Sequence, residues 1–121
     1  MEKEQIVEKI PHKRIEVDVK KLKTFENQFT YRAITEISAK FWWYDLAFPV
    51  DLVNCETKVF ASVAERNENN TCATSDSNPL LKRLSVWNVA AYDGGISVLI
   101  WLGDTNGSVQ GQIDILGFTW G

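Results

Sequence analysis

Residues 83–101 read RLSVWNVAAYDGGISVLIW, which is two apolar segments on either side of a turn sequence. Both segments are rich in β-branched and aromatic residues, which suit the pleated, half-buried surface of a strand. The intervening Asp93-Gly94 tolerates the positive φ angles of a tight hairpin turn. The stretch therefore predicts a β-hairpin with strands at 83–89 and 96–101.

Strand-like segments of the same kind recur on both sides of this hairpin. They lie at residues 58–63 and at 112–120, where the last one is expected to run to the end of the chain. Strands at this spacing, with turn residues between them, are typical of an all-β sandwich or barrel. Alternation also predicts strands at 14–22 and from Phe29, with a bulge or break where the phase is lost near 34–37. We predict a small antiparallel β-sandwich.

The first residues are interpreted as an appendage to this sandwich. Residues 2–10 could form a short helix, which Pro11 would end, or an extended arm. A chain of 121 residues is most simply one domain. We therefore divide it into an N-terminal appendage at 1–13 and a β-sandwich domain at 14–121.

Four aromatic residues follow one another at positions 41–44, which read Phe-Trp-Trp-Tyr. Side chains on a strand point to opposite faces in turn, so four consecutive rings cannot all enter one core. Two of them are expected on the second face of the strand. That face then either meets another subunit or is exposed.

Charge and composition argue against several classes of partner. The net charge is −3, and the basic residues do not form a face that would bind phosphates. No apolar run has the length of a membrane span, and the first residues contain no apolar signal segment. We expect no nucleic acid, no membrane insertion, and a protein made and folded in a cytoplasm.

The residues that catalysis or metal binding would need are sparse. His12 is the single histidine, and it lies in a polar segment where a solvated side chain is the commoner outcome. Cys55 and Cys72 with one distant histidine do not have zinc-site spacing. The two cysteines are expected to be free thiols, although a bridge between two loops is an alternative. We expect no enzyme, no metal and no cofactor.

From Leu46 onward, an ordered series of short motifs covers about the last two thirds of the chain. The motifs are Ala47-Phe48-Pro49, Val59-Phe60-Ala61-Ser62-Val63, Leu84-Ser85-Val86-Trp87-Asn88-Val89, the aromatic-bearing strand from Gly95 to Trp101, and Ile115-Leu116-Gly117-Phe118-Thr119-Trp120-Gly121. In this order they resemble the H-type lectin-like fold, and especially the C-terminal receptor-binding domains of phage tail fibres.

This resemblance implies a small antiparallel sandwich that assembles as a homotrimer. It also implies sugar sites near subunit boundaries, made of polar loop residues and an aromatic platform. The expected function is a receptor-binding, carbohydrate-binding module of a phage tail fibre or baseplate. Its partners would be host cell-surface glycan or polysaccharide and other tail-fibre or baseplate proteins. The protein would be part of the virion tail, assembled in the host cytoplasm.

Candidate ligand-binding residues are polar side chains on loops beside strand ends, together with one exposed ring. The loop candidates are Arg66, Asn67, Tyr92, Asp93, Asp104 and Asn106. Trp87 is the candidate platform, with Trp43 as the other choice if it is exposed. Each of the loop residue types is also common in ordinary turns.

A second hypothesis assigns the chain a purely structural role. A trimerisation or cap protein of a virion appendage would need the same fold and would bind no ligand. A jelly-roll domain of the tumour-necrosis-factor or complement type is a further trimeric β alternative, although such domains are usually secreted.

Overall fold

The structure is a computed structural model that describes residues 9–67, 71–72, 83–103 and 107–119. The described part contains eight strands. They are β1 (His12–Glu16), β2 (Lys23–Phe25), β3 (Gln28–Ser38), β4 (Lys40–Ala47), β5 (Lys58–Glu65), β6 (Arg83–Tyr92), β7 (Gly95–Gly103) and β8 (Ser108–Phe118).

The strands form two four-stranded sheets that face each other. Sheet A has the order β1-β4-β7-β6 and sheet B the order β2-β3-β8-β5. The long central pairs, β4 with β7 and β3 with β8, are antiparallel and run side by side over most of their length. The prediction of an all-β, two-layered fold is confirmed, and so are the strands expected at 58–63, 83–89 and 96–101.

The first strand differs from its prediction in extent and direction. β1 begins at His12, inside the expected appendage, and it pairs with β4 in parallel, so the sandwich is not wholly antiparallel. It ends at Glu16 instead of continuing to residue 22. The physical reason is Asp18, whose carboxylate accepts a hydrogen bond from the Lys20 backbone N–H at 3.0 Å, as in an Asx turn. A short helix at 2–10 falls almost wholly outside the described residues.

Two further boundaries also differ from expectation. β3 pairs with β8 without interruption as far as Ser38, so the break expected near 34–37 is wrong. The alternation of apolar and polar residues seemed to be lost there because Ile34 is apolar but points outward. Its side chain is 46% exposed. β8 begins at Ser108 and ends at Phe118, so Thr119 lies beyond the strand. The two cysteines are both free and exposed, as expected.

The core lies between the sheets and consists of alternate residues of the central strands. Its buried side chains are Phe29, Tyr31, Ala33, Ile37, Tyr44, Leu46, Phe48, Val53, Ile96, Val98, Ile100, Leu102, Ile113 and Ile115. Gly117 is part of the same packing, because the Phe29 ring lies across it from the neighbouring strand. A Cβ at that position would come within 2.2 Å of the ring, so only glycine fits there.

Tyr44 is the polar member of this core. Its side chain is fully buried, and its hydroxyl oxygen accepts a hydrogen bond from the Ser38 backbone N–H at 2.9 Å. The hydrogen bond lets a phenol occupy an apolar interior, since a buried hydroxyl without a partner is costly. Burial raises the pKa of the Tyr44 phenol above its ordinary value of 10.0.

This raised pKa predicts a loss of stability in alkali. Above about pH 10 the unfolded chain can ionise its tyrosine, whereas folded Tyr44 retains its proton, so the free energy of unfolding falls as pH rises. Tyr44→Phe should flatten that fall between pH 9 and 11, measured by urea unfolding. At neutral pH it should cost about 1–2 kcal/mol, because the Ser38 N–H loses its partner.

Tyr92→Phe is the matched control, because the Tyr92 side chain is 41% exposed. It should retain the alkaline fall in stability. An unchanged pH slope in Tyr44→Phe would show that the dependence arises from other groups.

Candidate ligand-binding face

The outer face of sheet A carries the second set of side chains from the aromatic run. Trp42 packs against the core and Tyr44 is buried within it, so Phe41 and Trp43 point outward. The prediction that two of the four rings lie on the second face of this strand is confirmed. Across the sheet, Phe41 pairs with Trp101 and Trp43 with Leu99. The face is therefore apolar over the first half of β4.

A β-bulge in β6 adds a further ring to this face. The pairing register between β6 and β7 shifts between Val86 and Asn88, which leaves Trp87 as the extra residue. Val86 is half-buried, whereas Trp87 is 61% exposed. Bulges redirect side chains and are frequent beside functional sites. Here the bulge places a large indole in solvent on an otherwise regular sheet.

Trp87, Phe41 and Trp101 form one group, named here the aromatic cluster. The centroids of Phe41 and Trp87 are 5.0 Å apart with the rings nearly perpendicular, and those of Phe41 and Trp101 are 4.6 Å apart. Such geometries are favourable for aromatic pairs. The Trp87 Nε1–H also donates a hydrogen bond to Ser85 Oγ at 3.0 Å, so the exposed ring is held from two sides.

The opposite half of the face is polar, and Asp45 lies at its centre. One Asp45 carboxylate oxygen accepts a hydrogen bond from His12 Nδ1 at 2.7 Å, and the other accepts one from Ser97 Oγ at 2.6 Å. Ser97 Oγ is also 3.4 Å from the Tyr92 hydroxyl. We call His12, Asp45, Ser97 and Tyr92 the polar row. It offers a carboxylate, two hydroxyls and an imidazole beside the aromatic cluster.

The polar row is not arranged as a nucleophile with its base. In that arrangement the serine hydroxyl would bond to the imidazole. Here the Ser97 hydroxyl and the His12 imidazole both bond to the same Asp45 carboxylate. The row thus presents fixed polar groups, which is the arrangement that orients a bound polar molecule.

His12 also connects the polar row to the rings. Its imidazole stacks on Trp43 with the centroids 6.2 Å apart and the ring planes 17° apart. The parallel pairing of β1 with β4 places these two residues opposite each other. His12 is exposed, as expected, but it is fixed in place by Trp43 and Asp45.

Of the residues proposed from the sequence, the structure brings Trp87 and Tyr92 to this one face, together with Trp43, the alternative platform. Trp43 is half-buried, whereas Trp87 is exposed. Asp93 is an exposed residue in the turn that follows Tyr92, with Gly94 beside it at φ 82°. The predicted β6–β7 hairpin is thereby confirmed. Asp93 lies at the end of the face, in the turn between β6 and β7, so it borders the candidate site and is not one of its central groups.

Arg66 and Asn67 lie elsewhere, beyond the end of β5 in sheet B. Arg66 Nη1 donates a hydrogen bond to Gln112 Oε1 at 2.5 Å. The Asn67 side-chain oxygen accepts the Thr71 backbone N–H at 3.0 Å, which is ordinary turn chemistry. This end of the sandwich is separated from Tyr92 by the length of β7, about 26 Å for a strand of nine residues. Asp104 and Asn106 lie outside the described residues.

The sequence interpretation did not identify Phe41, Asp45, Ser97 or Trp101 as members of a site. Alternation along β4 was a usable signal, because it places Phe41, Trp43 and Asp45 on one face. The bulge that exposes Trp87 was not predicted, although the three-residue spacing of Val86 and Val89 departs from the alternation of a regular strand. His12 could be recognised only from its pairing with a strand about thirty residues away.

Comparison with protein-family models, with curated proteins and with solved structures finds no match for this chain. Within the described ranges, no group of three or more His, Cys, Asp or Glu side chains could hold a metal ion. The same part of the chain has no helix of the length and apolarity needed to cross a membrane.

Loss of the Phe41 ring should weaken both the fold and the aromatic cluster. Phe41→Leu retains an apolar side chain but removes two ring pairs, which predicts a loss of about 1–2 kcal/mol in the free energy of unfolding. The near-UV circular dichroism of the tryptophans should also decrease. Both quantities can be measured in one denaturant titration of the purified chain.

Phe25→Leu provides the comparison, since the Phe25 side chain on β2 is 65% exposed. It should change the free energy of unfolding by less than about 0.5 kcal/mol. Equal losses in the two variants would mean that the Phe41 ring pairs add no stability.

Proposed function

We propose that this protein is a carbohydrate-binding module and that the outer face of sheet A is its sugar site. The observation that carries the proposal is the bulge that holds the Trp87 indole, 61% exposed, against Phe41 and Trp101. A rigid exposed ring offers apolar contact area at low entropic cost, and nearby polar groups give the bound molecule its orientation.

The chemistry of a sugar matches both halves of the face. A pyranose ring has an apolar side of C–H groups, which would stack on the Trp87 indole. Hydroxyl groups of the neighbouring sugar units in the same glycan would hydrogen-bond to the Asp45 carboxylate and to the hydroxyls of Ser97 and Tyr92. The hydrogen bonds to His12 and Ser97 fix the Asp45 carboxylate before any ligand arrives. A site that is already organised loses less entropy on binding.

The wider biological role that we propose is attachment of a phage to its host. In this proposal the chain is the receptor-binding domain of a tail fibre or baseplate, and the ligand is a host cell-surface glycan. The support is the resemblance of residues 46–121 to such domains, together with the two-sheet architecture. No catalytic step is part of the proposal. A homotrimer would present three sites at once, and avidity would then raise a weak affinity at each site.

The sugar site is tested by comparing two exposed rings on opposite faces of the sandwich. The purified chain is screened on an array of bacterial surface polysaccharides and oligosaccharides, and the strongest binder is titrated by calorimetry. Trp87→Ala should weaken that binding by at least about tenfold, since an exposed tryptophan at the centre of a site is a typical hot spot. Its unfolding curve shows whether the variant is folded.

Phe60→Ala is the matched control, because the Phe60 side chain on sheet B is 63% exposed. This variant should bind the glycan as the unchanged chain does. Equal loss in the two variants would place the site elsewhere. A screen in which the unchanged chain retains no glycan would contradict the proposed function.

A second candidate function is a structural trimerisation or cap protein of a virion appendage. The observation that favours it is the same aromatic cluster, because exposed apolar surface is often covered by another subunit. Light scattering gives the oligomeric state, and iodide quenching shows whether Trp87 is covered in the oligomer. A trimer in which Trp87 is protected and no glycan binds would favour the structural role over the sugar site.

A further inference from the structure

A groove of about 930 Å³ lies on the opposite side of the molecule from Trp87. It runs beside β3 and over the outer face of sheet B. Its lining includes Ile15 of β1, Lys21 and Lys23 around the start of β2, Phe60 of β5, and residues 30–34 and 114–116. The volume and the mixture of apolar and charged walls suit a ligand of substantial size.

One wall of this groove is an open sheet edge. β2 pairs with β3 only over Gln28–Thr30, whereas β3 continues to Ser38 and pairs with β8 on its other side throughout. In the described part of the chain, no strand pairs with residues 31–38 on the β2 side. Such an edge presents a row of backbone N–H and C=O groups that another strand can use.

The backbone of β3 is accessible to the groove. Tyr31 and Ala33 are buried in the core by their side chains, yet both residues line the groove. Consecutive residues from Thr30 to Ile34 form the wall, although only alternate side chains of a strand can point to one side. The inward-pointing residues therefore contribute main-chain atoms to the wall.

The charged groups that line the groove leave a positive excess. The Asp114 carboxylate accepts two hydrogen bonds from the Arg32 guanidinium, at 2.6 and 3.2 Å, so these two charges offset each other. Glu16 forms an ion pair with Arg14 through a single hydrogen bond from Arg14 Nε. Lys21 and Lys23 form no ion pair within the described residues, and both line the groove.

We propose that the groove binds an extended peptide of alternating acidic and apolar residues, which adds a strand to the free edge of β3. Its acidic side chains would lie on the outer side, near Lys21 and Lys23, and its apolar side chains on the inner side, near Ile15. Backbone pairing supplies affinity in this mode of recognition, and alternate side chains supply specificity. The peptide would continue the line of β2 along β3.

This site is independent of the sugar site. It uses sheet B together with Ile15 and Glu16 at the edge strand β1, whereas the aromatic cluster and the polar row lie on the outer face of sheet A. The partner it fits is an acidic segment of another protein, for which the row of backbone groups along 31–37 has the matching spacing. Ser38 is not part of this row, because its N–H is already bonded to the Tyr44 hydroxyl. A sugar or a small anion would use the lysines but would leave that row unpaired.

The test uses the full chain and a fluorescein-labelled octapeptide of alternating glutamate and valine, with binding followed by fluorescence anisotropy. The unchanged chain should bind the peptide, and a peptide of alternating lysine and valine should not bind. The double variant K21E/K23E should weaken binding by about tenfold or more, because two favourable charges become repulsive. K20E reverses a neighbouring exposed lysine that does not line the groove, and it should weaken binding by less than about twofold.

Backbone pairing is tested with two further versions of the octapeptide, N-methylated at either the odd or the even residues. Both versions keep every charge, but only one edge of an added strand faces β3. One version should therefore lose binding and the other should retain it. Bound peptide should also slow hydrogen exchange at alternate amides between residues 31 and 37.

Equal binding of the two methylated peptides would overturn the proposal, since charge alone would then explain the affinity. So would the absence of binding by the unchanged chain. Sedimentation of the unchanged chain and of K21E/K23E measures self-association, and so tests whether a second copy of the chain occupies the edge. Self-association that this variant abolishes, without peptide binding, would assign the edge to a second copy of the chain and overturn the proposal.

Discussion

The structure depends on the burial of alternate side chains between two sheets. Along β4 and β7, Tyr44, Leu46, Val98 and Ile100 are wholly enclosed, and Ile113 meets them from sheet B. Each inward residue obliges its chain neighbours to point outward, because the side-chain period of a strand is two. The outward positions of Phe41, Trp43, Asp45 and Ser97 are therefore a consequence of the core. A one-residue slip in register would place the aspartate and the serine in the interior and remove the candidate site at the same time.

The bulge at Trp87 is the local exception to this rule, and it distinguishes the face from an ordinary sheet surface. With a regular register through β6, Val86 and Val89 could not both point inward, because they are three residues apart. The extra residue at position 87 allows both valines to contact the core, and it turns Trp87 outward together with Asn88. The bulge that lets Val86 and Val89 both pack against the core therefore also exposes the Trp87 indole. The exposed ring is then stabilised by Phe41 and by the Ser85 hydroxyl instead of by burial.

The sequence was informative wherever local patterning decides the outcome. Alternating apolar residues located β5, β6 and β7, and Asp93-Gly94 located the hairpin, because strand period and turn chemistry are local properties. The prediction failed where the structure is decided by pairing between residues that are far apart in the chain. The parallel docking of β1 beside β4, which brings His12 to Trp43 and Asp45, has no signature within residues 12–16. The Arg32–Asp114 pair is also invisible in the sequence, since it joins residues on strands that are far apart in the chain.

The two outer faces of the sandwich have different chemistry, and their positions allow both proposed ligands to bind at the same time. Sheet A offers rings and hydroxyl groups with little net charge, whereas the groove on sheet B offers lysines and main-chain groups at a strand edge. A ligand on one face would not contact a ligand on the other, because the core lies between them. Coupling between the two would have to pass through that core, whose buried side chains are closely packed. We therefore expect a glycan and an acidic peptide strand to bind to one chain at the same time without affecting each other.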